Sequence, residues 1–253
     1  MKKRGEKIMS VIFFMGDHLR SLKINARDLS NTPLARIPKK MSRVCMVVCN
    51  TNRSYRQGNG VSPIMRSIEI SGLFKEFGYD VYFSINPHVA FFIEYLKQFL
   101  NRTSERFILA YIGQGGDGGS ETFIFDDQEL PDESFVQIVN EESSYSLKVT
   151  LFSDFSAEKS IFSQPTAFEK PVQLISCTGD MSKSNEGADV FVQHFVRELK
   201  MKKGITGQLL VDSLRILLKR KGVSINVYAS NNELLTSNIM DYVPKEEKND
   251  LLH

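Results

Sequence analysis

The chain has 253 residues, of which 42% are apolar and 25% are charged, and its net charge is +2 at pH 7. This length and composition suit one large domain or two small ones, and they exclude a disordered chain, a collagen helix and a coiled coil. No run of eighteen apolar residues occurs, and the apolar stretch at residues 8–15 lacks the small-residue cleavage site of a signal peptide. We therefore expect a soluble, cytoplasmic protein that does not enter a membrane.

The N-terminal segment is strongly basic. Residues 1–43 carry eleven Lys or Arg and three Asp or Glu, a net charge of +8, whereas the remaining 210 residues carry 21 and 27, a net charge of −6. Such a segment can bind phosphates or an acidic surface, but its charges are scattered among apolar residues, which favours a solvated extension. We expect residues 1–42 to form this extension, residues 43–240 the domain and residues 241–253 a tail. Nucleic-acid binding is expected only through residues 1–43.

The body of the chain alternates short apolar runs with segments of helical spacing. The apolar runs predict six strands, at residues 43–49, 81–85, 107–112, 147–152, 172–177 and 223–228. The helical spacing predicts helices at residues 70–77, 92–99, 135–139, 192–199 and 209–218. Strands that alternate with helices pair in parallel through crossover connections. We therefore predict an α/β fold with a mostly parallel six-stranded sheet and helices on both faces.

The loops that follow the strands are the predicted location of any functional site, because ligands bind at the carboxyl ends of parallel strands. These loops lie at residues 50–60, 113–120, 153–160 and 178–187, and taken together they are rich in Gly, Ser and Asp. The three cysteines cannot all pair, and their spacing supports neither a disulfide framework nor a zinc site. A buried structural thiol is the simpler interpretation of Cys177.

Several segments, in chain order, resemble the caspase and metacaspase cysteine peptidases. The segment FILAYIGQGG resembles the third strand of that family and its Ser-Gly-His-Gly turn, and LKVTLFSDFSAE resembles the fourth strand and its Asp-x-Cys-His-Ser turn. The segments VQLISCTGD and VSINVYASNNELLTSNI resemble the strands that follow. The match runs from about residue 43 to residue 239 and is most like a metacaspase. It implies a caspase-like three-layer sandwich.

The two catalytic positions of that family are replaced. Gln114 stands where the family has its histidine, and Ser156 stands where it has its nucleophilic cysteine. An amide side chain does not titrate in the usable range, so it cannot act as a general base. A serine without a base is a poor nucleophile at neutral pH. We therefore expect Gln114 and Ser156 to be a degenerate dyad without catalytic activity.

Asp154 begins the matched Asp-x-Cys turn. In metacaspases this aspartate helps to form an acidic pocket for a basic substrate residue, so the resemblance implies that Asp154 is a remnant of that pocket. The acidic position expected before the first helix is occupied by Arg66, which opposes the binding of a basic side chain. The alternative is an aspartate that only caps a helix or stabilises a loop.

Asp126 and Asp127 resemble the paired aspartates with which calcium-dependent metacaspases hold their ion. Calcium takes six or more oxygen ligands, so two carboxylates are not a site by themselves, and a solvated acidic turn is the simpler interpretation. No other cofactor is expected.

Three functions are consistent with these residues. The first is a catalytically inactive relative of the peptidases that binds a protein partner, either an active metacaspase or a second copy of itself, through an edge strand such as residues 223–228. The second is a hydrolase with altered chemistry at Ser156, which needs a base that the sequence does not offer. The third is an adaptor whose basic segment binds nucleic acid. The sequence favours the first.

Overall fold

The computed structural model describes residues 16–51, 62–113, 123–125, 127–156, 167–178, 186–219 and 223–238. Within these ranges, none of the helices has the length and hydropathy needed to cross a bilayer.

The centre of the molecule is a mostly parallel sheet in which the described residues form seven strands. Its order is β1-β3-β2-β4-β7-β8-β9, and every pairing is parallel except that of β8 with β9. The strands are β1 (Arg27–Asp28), β2 (Met41–Cys49), β3 (Asp80–Ile85), β4 (Thr103–Ile112), β7 (Lys148–Ser156), β8 (Val172–Thr178) and β9 (Ser224–Ala229). A small antiparallel pair, β5 (Phe123–Ile124) and β6 (Glu129–Leu130), lies between β4 and β7 in sequence.

Helices cover both faces of this sheet. They are α1 (residues 16–25), α2 (Ser62–Glu76), α3 (Val89–Arg102), α4 (Asp132–Glu142), α5 (Glu186–Met201), α6 (Gly207–Leu218) and the short α7 (Asn232–Thr236). The helix α2 ends at a Schellman motif: Gly78 has φ 82°, and the Tyr79 N–H donates to the Phe74 carbonyl at 3.0 Å. Glycine adopts this left-handed conformation without steric cost, which fixes the turn from α2 into β3.

Alternate residues along each central strand pack into two separate cores. In β2, for example, Val44 and Met46 face the core under α3 and α4, whereas Cys45 and Val47 face the core under α1, α2, α5 and α6. This arrangement explains why the central strands read as continuous apolar runs, since both of their faces are buried. The predicted α/β class, with a mostly parallel sheet and helices on both faces, is confirmed.

The sheet has one strand more than predicted, and that strand comes from the basic segment. β1 pairs in parallel with β3, and the segment around it buries the side chains of Leu22, Ala26, Leu29 and Ile37. The expected extension at residues 1–42 therefore includes residues that pack on the sheet. The sequence did not predict this strand, because the Arg-Asp pair has no apolar run and forms a strand only by pairing with a neighbour.

The strand order sets where a site can form. β3 and β4 follow β2 in sequence but lie on opposite sides of it, so the chain reverses its winding direction at β2. Ligands of open α/β sheets bind outside the carboxyl ends of the strands at such a point. A functional site is therefore expected at the ends of β2, β4 and β7.

Candidate functional site

The ends of β2, β4 and β7 are joined by backbone and side-chain hydrogen bonds. The Asn50 N–H donates to the Ile112 carbonyl at 2.7 Å, and the Gly113 N–H donates to Oδ1 of Asp154 at 2.8 Å. A side chain at position 113 has no room, because a Cβ atom there would lie 2.8 Å from the Cβ of Asn50. Glycine is thus required for β2 and β4 to approach this closely next to Asp154.

A buried ion-pair cluster lies at this edge of the sheet, and Arg66 of α2 is its centre. Its Nε atom is 2.5 Å from Oδ2 of Asp154, and its Nη1 atom is 2.6 Å from Oδ1 of Asp189 on α5. Ser62, one turn before Arg66, accepts a hydrogen bond from Nη1 at 2.6 Å and donates its own to Asp189 at 2.5 Å. The side chains of Asp154 and Arg66 are 0% and 4% exposed, whereas that of Asp189 is 38% exposed.

The charges in this cluster depend on each other. Burial alone would lower the pKa of Arg66, but the carboxylates of Asp154 and Asp189 outweigh burial and raise it, so the guanidinium stays charged. Burial raises the pKa of Asp154, and the charge of Arg66 and the Gly113 N–H limit that rise. Each carboxylate oxygen of Asp154 thus accepts one hydrogen bond, Oδ2 from Arg66 and Oδ1 from the Gly113 N–H.

Asp154 is therefore neither a helix cap nor a loop residue, because it lies inside β7 and forms a buried ion pair. The strand continues to Ser156, four residues beyond the predicted end at Phe152. The part of the predicted site loop that contains Asp154 is thus strand. The sequence analysis assigned Asp154 and Arg66 to the same pocket, and the structure brings their side chains into contact.

The degenerate dyad positions lie at the ends of neighbouring strands. Ser156 ends β7 and pairs in register with Cys177 of β8, after an irregularity in the register that follows Ser153. Gln114 comes directly after Gly113 in sequence and lies outside the described residues. The structure describes the backbone of Ser156 and not its side chain, so the dyad itself stays a prediction.

Every cysteine of the chain is buried and free of disulfides. The Sγ atom of Cys177 is 3.2 Å from the Asp154 carbonyl oxygen, to which the thiol donates. Burial raises the pKa of Cys177 and of Cys45 well above the ordinary value and raises the pKa of Cys49 to about 12. Because only a thiolate is a strong nucleophile, burial opposes the nucleophilic reactivity of these three thiols. The interpretation of Cys177 as a buried thiol agrees with its position.

Asp127 has a local structural role. Its Oδ1 atom accepts a hydrogen bond from the Val89 N–H, the first residue of α3, at 2.9 Å, and its Oδ2 atom lies 3.5 Å from Nδ1 of His88. The bond from Val89 is the main cause that lowers the pKa of Asp127. Asp126 lies outside the described residues, and no group of three or more potential metal ligands occurs among those described. Calcium binding through Asp126 and Asp127 stays a prediction.

Two polar groups near the site were missed by the sequence analysis. Asp189 gave no signal, because its partner Arg66 is 123 residues away in the chain. Asn86, at the end of β3, has φ 47° and holds Thr51 at the end of β2: it accepts from the Thr51 N–H at 2.7 Å and donates to Oγ1 at 2.8 Å. Asparagine is one of the few residues that adopt this backbone conformation readily, and that preference was the available signal.

Known structures identify the architecture that positions these residues. The molecule is similar to the crystal structure of the Drosophila initiator caspase Dronc, with a TM-score of 0.56 and 11% sequence identity, over 81% of this chain and 85% of that chain. The fold is caspase-like. No protein-family model and no curated protein sequence matches the chain. At this identity, the similarity establishes the caspase-like fold and leaves the chemistry to be argued from the residues.

Proposed function

We propose that this chain is a catalytically inactive caspase-fold protein, most like a metacaspase with a degenerate dyad, that acts in the cytoplasm by binding another protein. The partner is a second chain of the same fold, either another copy or an active relative that it regulates. The observation that carries the proposal is the absence of a usable thiol: all three cysteines of the chain are buried, and the nucleophile position of the resembled family holds Ser156.

The chemistry of the site supports inactivity. Peptide cleavage by this fold needs a nucleophile and a group that moves its proton. Gln114 does not titrate in the usable range, and the carboxylate of Asp154 is bound to Arg66 and to the Gly113 N–H. The loss of general acid–base help typically costs about a hundredfold to ten-thousandfold in rate.

The surface around β9 supports protein binding. Among the described strands β9 is the last of the sheet, so one of its edges pairs with none of them. The helix α6 packs against β9 and exposes Leu209 and Ile216, which are 58% and 76% accessible, together with Leu217. An edge strand beside exposed apolar side chains can pair with a strand of another chain and bury those side chains at the same time.

A cleavage assay tests the inactivity. We expect the purified protein to leave reporter peptides that end in Arg, Lys or Asp uncleaved, with and without millimolar calcium, under conditions in which an active caspase cleaves its own reporter. We also expect a fluorophosphonate probe to leave Ser156 unlabelled. Cleavage by the wild-type protein that Ser156→Ala abolishes would show that the chain is an enzyme, and labelling of Ser156 would favour a serine-based hydrolase.

A further inference from the structure

A row of basic residues crosses the sheet near the amino ends of its central strands, away from the candidate site. Arg43 of β2 pairs in register with Arg106 of β4, and Arg106 pairs with Lys148 of β7. Residues in register on neighbouring parallel strands point to the same face of the sheet and lie about 5 Å apart. Arg43 and Arg106 are only 7% and 5% exposed, so two guanidinium groups share a largely dry region.

Both guanidinium groups lie near the Tyr79 hydroxyl. Arg43 donates to that hydroxyl at 3.2 Å and to the Phe77 carbonyl at 3.1 Å, and its Cζ atom lies 4.3 Å from the centre of the Tyr79 ring. Burial raises the pKa of Tyr79, and the positive charges of Arg106 and Arg43 oppose that rise. The hydroxyl and the carbonyl are uncharged, so they satisfy N–H donors and leave the repulsion between two like charges in place. A carboxylate between the two groups would offset that repulsion.

The chain itself brings a carboxylate to this region. The Asn238 carbonyl accepts a hydrogen bond from Nη2 of Arg106 at 3.4 Å, and Asn238 also forms an antiparallel bridge with Thr206. Residues 239–253 lie outside the described part of the chain. Asp241 is the first acidic residue after Asn238 in the sequence, and three residues of chain span at most about 10 Å. The Asp241 carboxylate is therefore within reach of both guanidinium groups.

We propose that the Asp241 carboxylate binds between the guanidinium groups of Arg43 and Arg106 and holds the segment that follows α7 against the amino ends of β2 and β4. The inference goes beyond the proposed function, because this contact lies within one chain and forms whichever partner the chain binds. The helix α7 packs on α6 and β9. The contact would thus tie that end of the sheet to its central strands.

Two features favour Asp241 over other anions. It follows Asn238 by three residues, so its effective concentration at the two arginines is high, whereas an anion from solution must lose translational freedom to bind there. Asp241 is also the only charged residue in the segment 239–244. The acidic pair at residues 246–247 is flanked by a lysine on each side, and these lysines offset its charge.

The first test removes the charge of Asp241 in the full chain. Asp241→Asn preserves the size of the side chain and would leave two like charges buried beside each other, so we expect the Tm to fall by roughly 8 °C. The matched control, Glu246→Gln/Glu247→Gln, removes two charges from the same part of the chain and is expected to change the Tm by less than about 2 °C. Thermal unfolding followed by circular dichroism measures both.

A double-mutant cycle then identifies the partner of Asp241. Arg106→Gln is expected to lower the wild-type Tm by a similar amount. In the Asp241→Asn background it is expected to lower the Tm by less than half as much, because the interaction that it breaks is already lost. Arg215→Gln changes an exposed arginine on α6 and serves as the control, with the same small effect expected in both backgrounds.

Three results would overturn the proposal. One is an Asp241→Asn protein that unfolds within about 2 °C of the wild type. Another is a pair of effects, from Asp241→Asn and Arg106→Gln, that simply add. The third is a wild-type protein that sodium phosphate stabilises through Arg106, because an anion from solution would then occupy the place assigned to Asp241.

A further comparison applies if a variant is recovered only as aggregate. Asp241→Asn is then refolded and melted in sodium acetate and in sodium chloride of the same ionic strength, since acetate supplies the missing carboxylate and a ligand that binds only the folded state stabilises it. A higher folded yield or Tm in acetate supports the proposal, and equal values contradict it.

Discussion

At the scale of single residues, burial opposes the ionisation of the three cysteine thiols. The thiols of Cys45 and Cys177 lie in the same apolar core as Phe152, and Cys49 is fully buried as well. A thiolate in such surroundings loses its hydration, and this loss outweighs the favourable charge of Arg66 near Cys49 and Cys177, so the neutral thiol is favoured. These cysteines therefore act as small apolar side chains that fill the core.

This burial predicts the thiol reactivity of the native protein. At pH 8, we expect none of the three cysteines to react with Ellman's reagent within minutes, because the pKa of Cys49 is raised to about 12 and the other two thiols are likewise buried. In guanidinium chloride all three are expected to react, since the pKa of an exposed thiol is roughly 8.5.

The readout is the absorbance of the released thiolate, and the unfolded protein serves as the internal standard of three equivalents. One thiol that reacts rapidly in the native protein would reveal an accessible nucleophile and would contradict the assignment of this chain as inactive. Raising the pH toward 11 is expected to leave the native thiols slow for as long as the protein stays folded.

At the scale of elements, β9 lies at one end of the sheet, and α6, which packs against it, exposes apolar side chains. Leu209 and Ile216 are seven residues apart, so they lie on the same side of α6, two turns from each other. The opposite end of the sheet is formed by the two-residue β1. Strand pairing with another chain is therefore expected at β9.

We predict that Leu209→Lys/Ile216→Lys reduces self-association or the capture of an active relative by at least tenfold, because two charges would be placed in the interface. The Tm is expected to change by less than about 2 °C, since both side chains are exposed. Light scattering after size-exclusion chromatography measures the association.

The matched control is Ile24→Lys, which changes an apolar side chain of similar exposure, 66%, on α1. It is expected to leave association unchanged. A wild-type protein that stays monomeric at high concentration and binds no caspase-fold relative would contradict the role of the β9 edge.

The elements also show what the sequence could and could not predict. The central strands were predictable because both of their faces are buried, so Val44 to Val48 and Phe107 to Ile112 appear as uninterrupted apolar runs. β1 was not predictable, since the Arg-Asp dipeptide becomes a strand only through its pairing with Tyr82 and Phe83. For Arg66, the sequence could predict that a charged residue within an apolar helix face needs a partner. It could not predict which residue that partner is, because this depends on the tertiary fold.

At the scale of the whole molecule, the described part of the basic N-terminal segment, residues 16–43, belongs to the packed structure. Several of its basic side chains already have partners inside the protein. Arg43 donates to the Phe77 carbonyl at 3.1 Å and to the Tyr79 hydroxyl at 3.2 Å, and Lys23 lies 3.2 Å from Asp28. Charges used in this way are less available to bind nucleic acid.

Deletion of residues 1–42 is therefore predicted to prevent stable folding. It removes the buried side chains of Leu22, Leu29 and Ile37, and each such side chain contributes about 1.5–3 kcal/mol when fully buried. The total is comparable with the stability of a typical domain, which is about 5–15 kcal/mol. Thermal unfolding followed by circular dichroism measures the effect.

Deletion of residues 1–15 is the comparison, because it leaves α1 and β1 in place. We expect this shorter deletion to lower the Tm by less than the deletion of residues 1–42 does. If the protein without residues 1–42 unfolds at the same temperature as the full chain, the packing of α1 and β1 contributes nothing to stability and the prediction is wrong.

The cluster around Arg66 also orders events during synthesis. Its two ion pairs span 88 and 123 residues of chain, so the complete cluster cannot assemble until α5 has left the ribosome. Contacts between such distant segments form slowly, because a long loop must close before they contribute any stability. A nascent chain that already contains β7 would thus hold only part of the cluster, which makes a premature stop before α5 a product that cannot finish folding and a natural substrate for quality control.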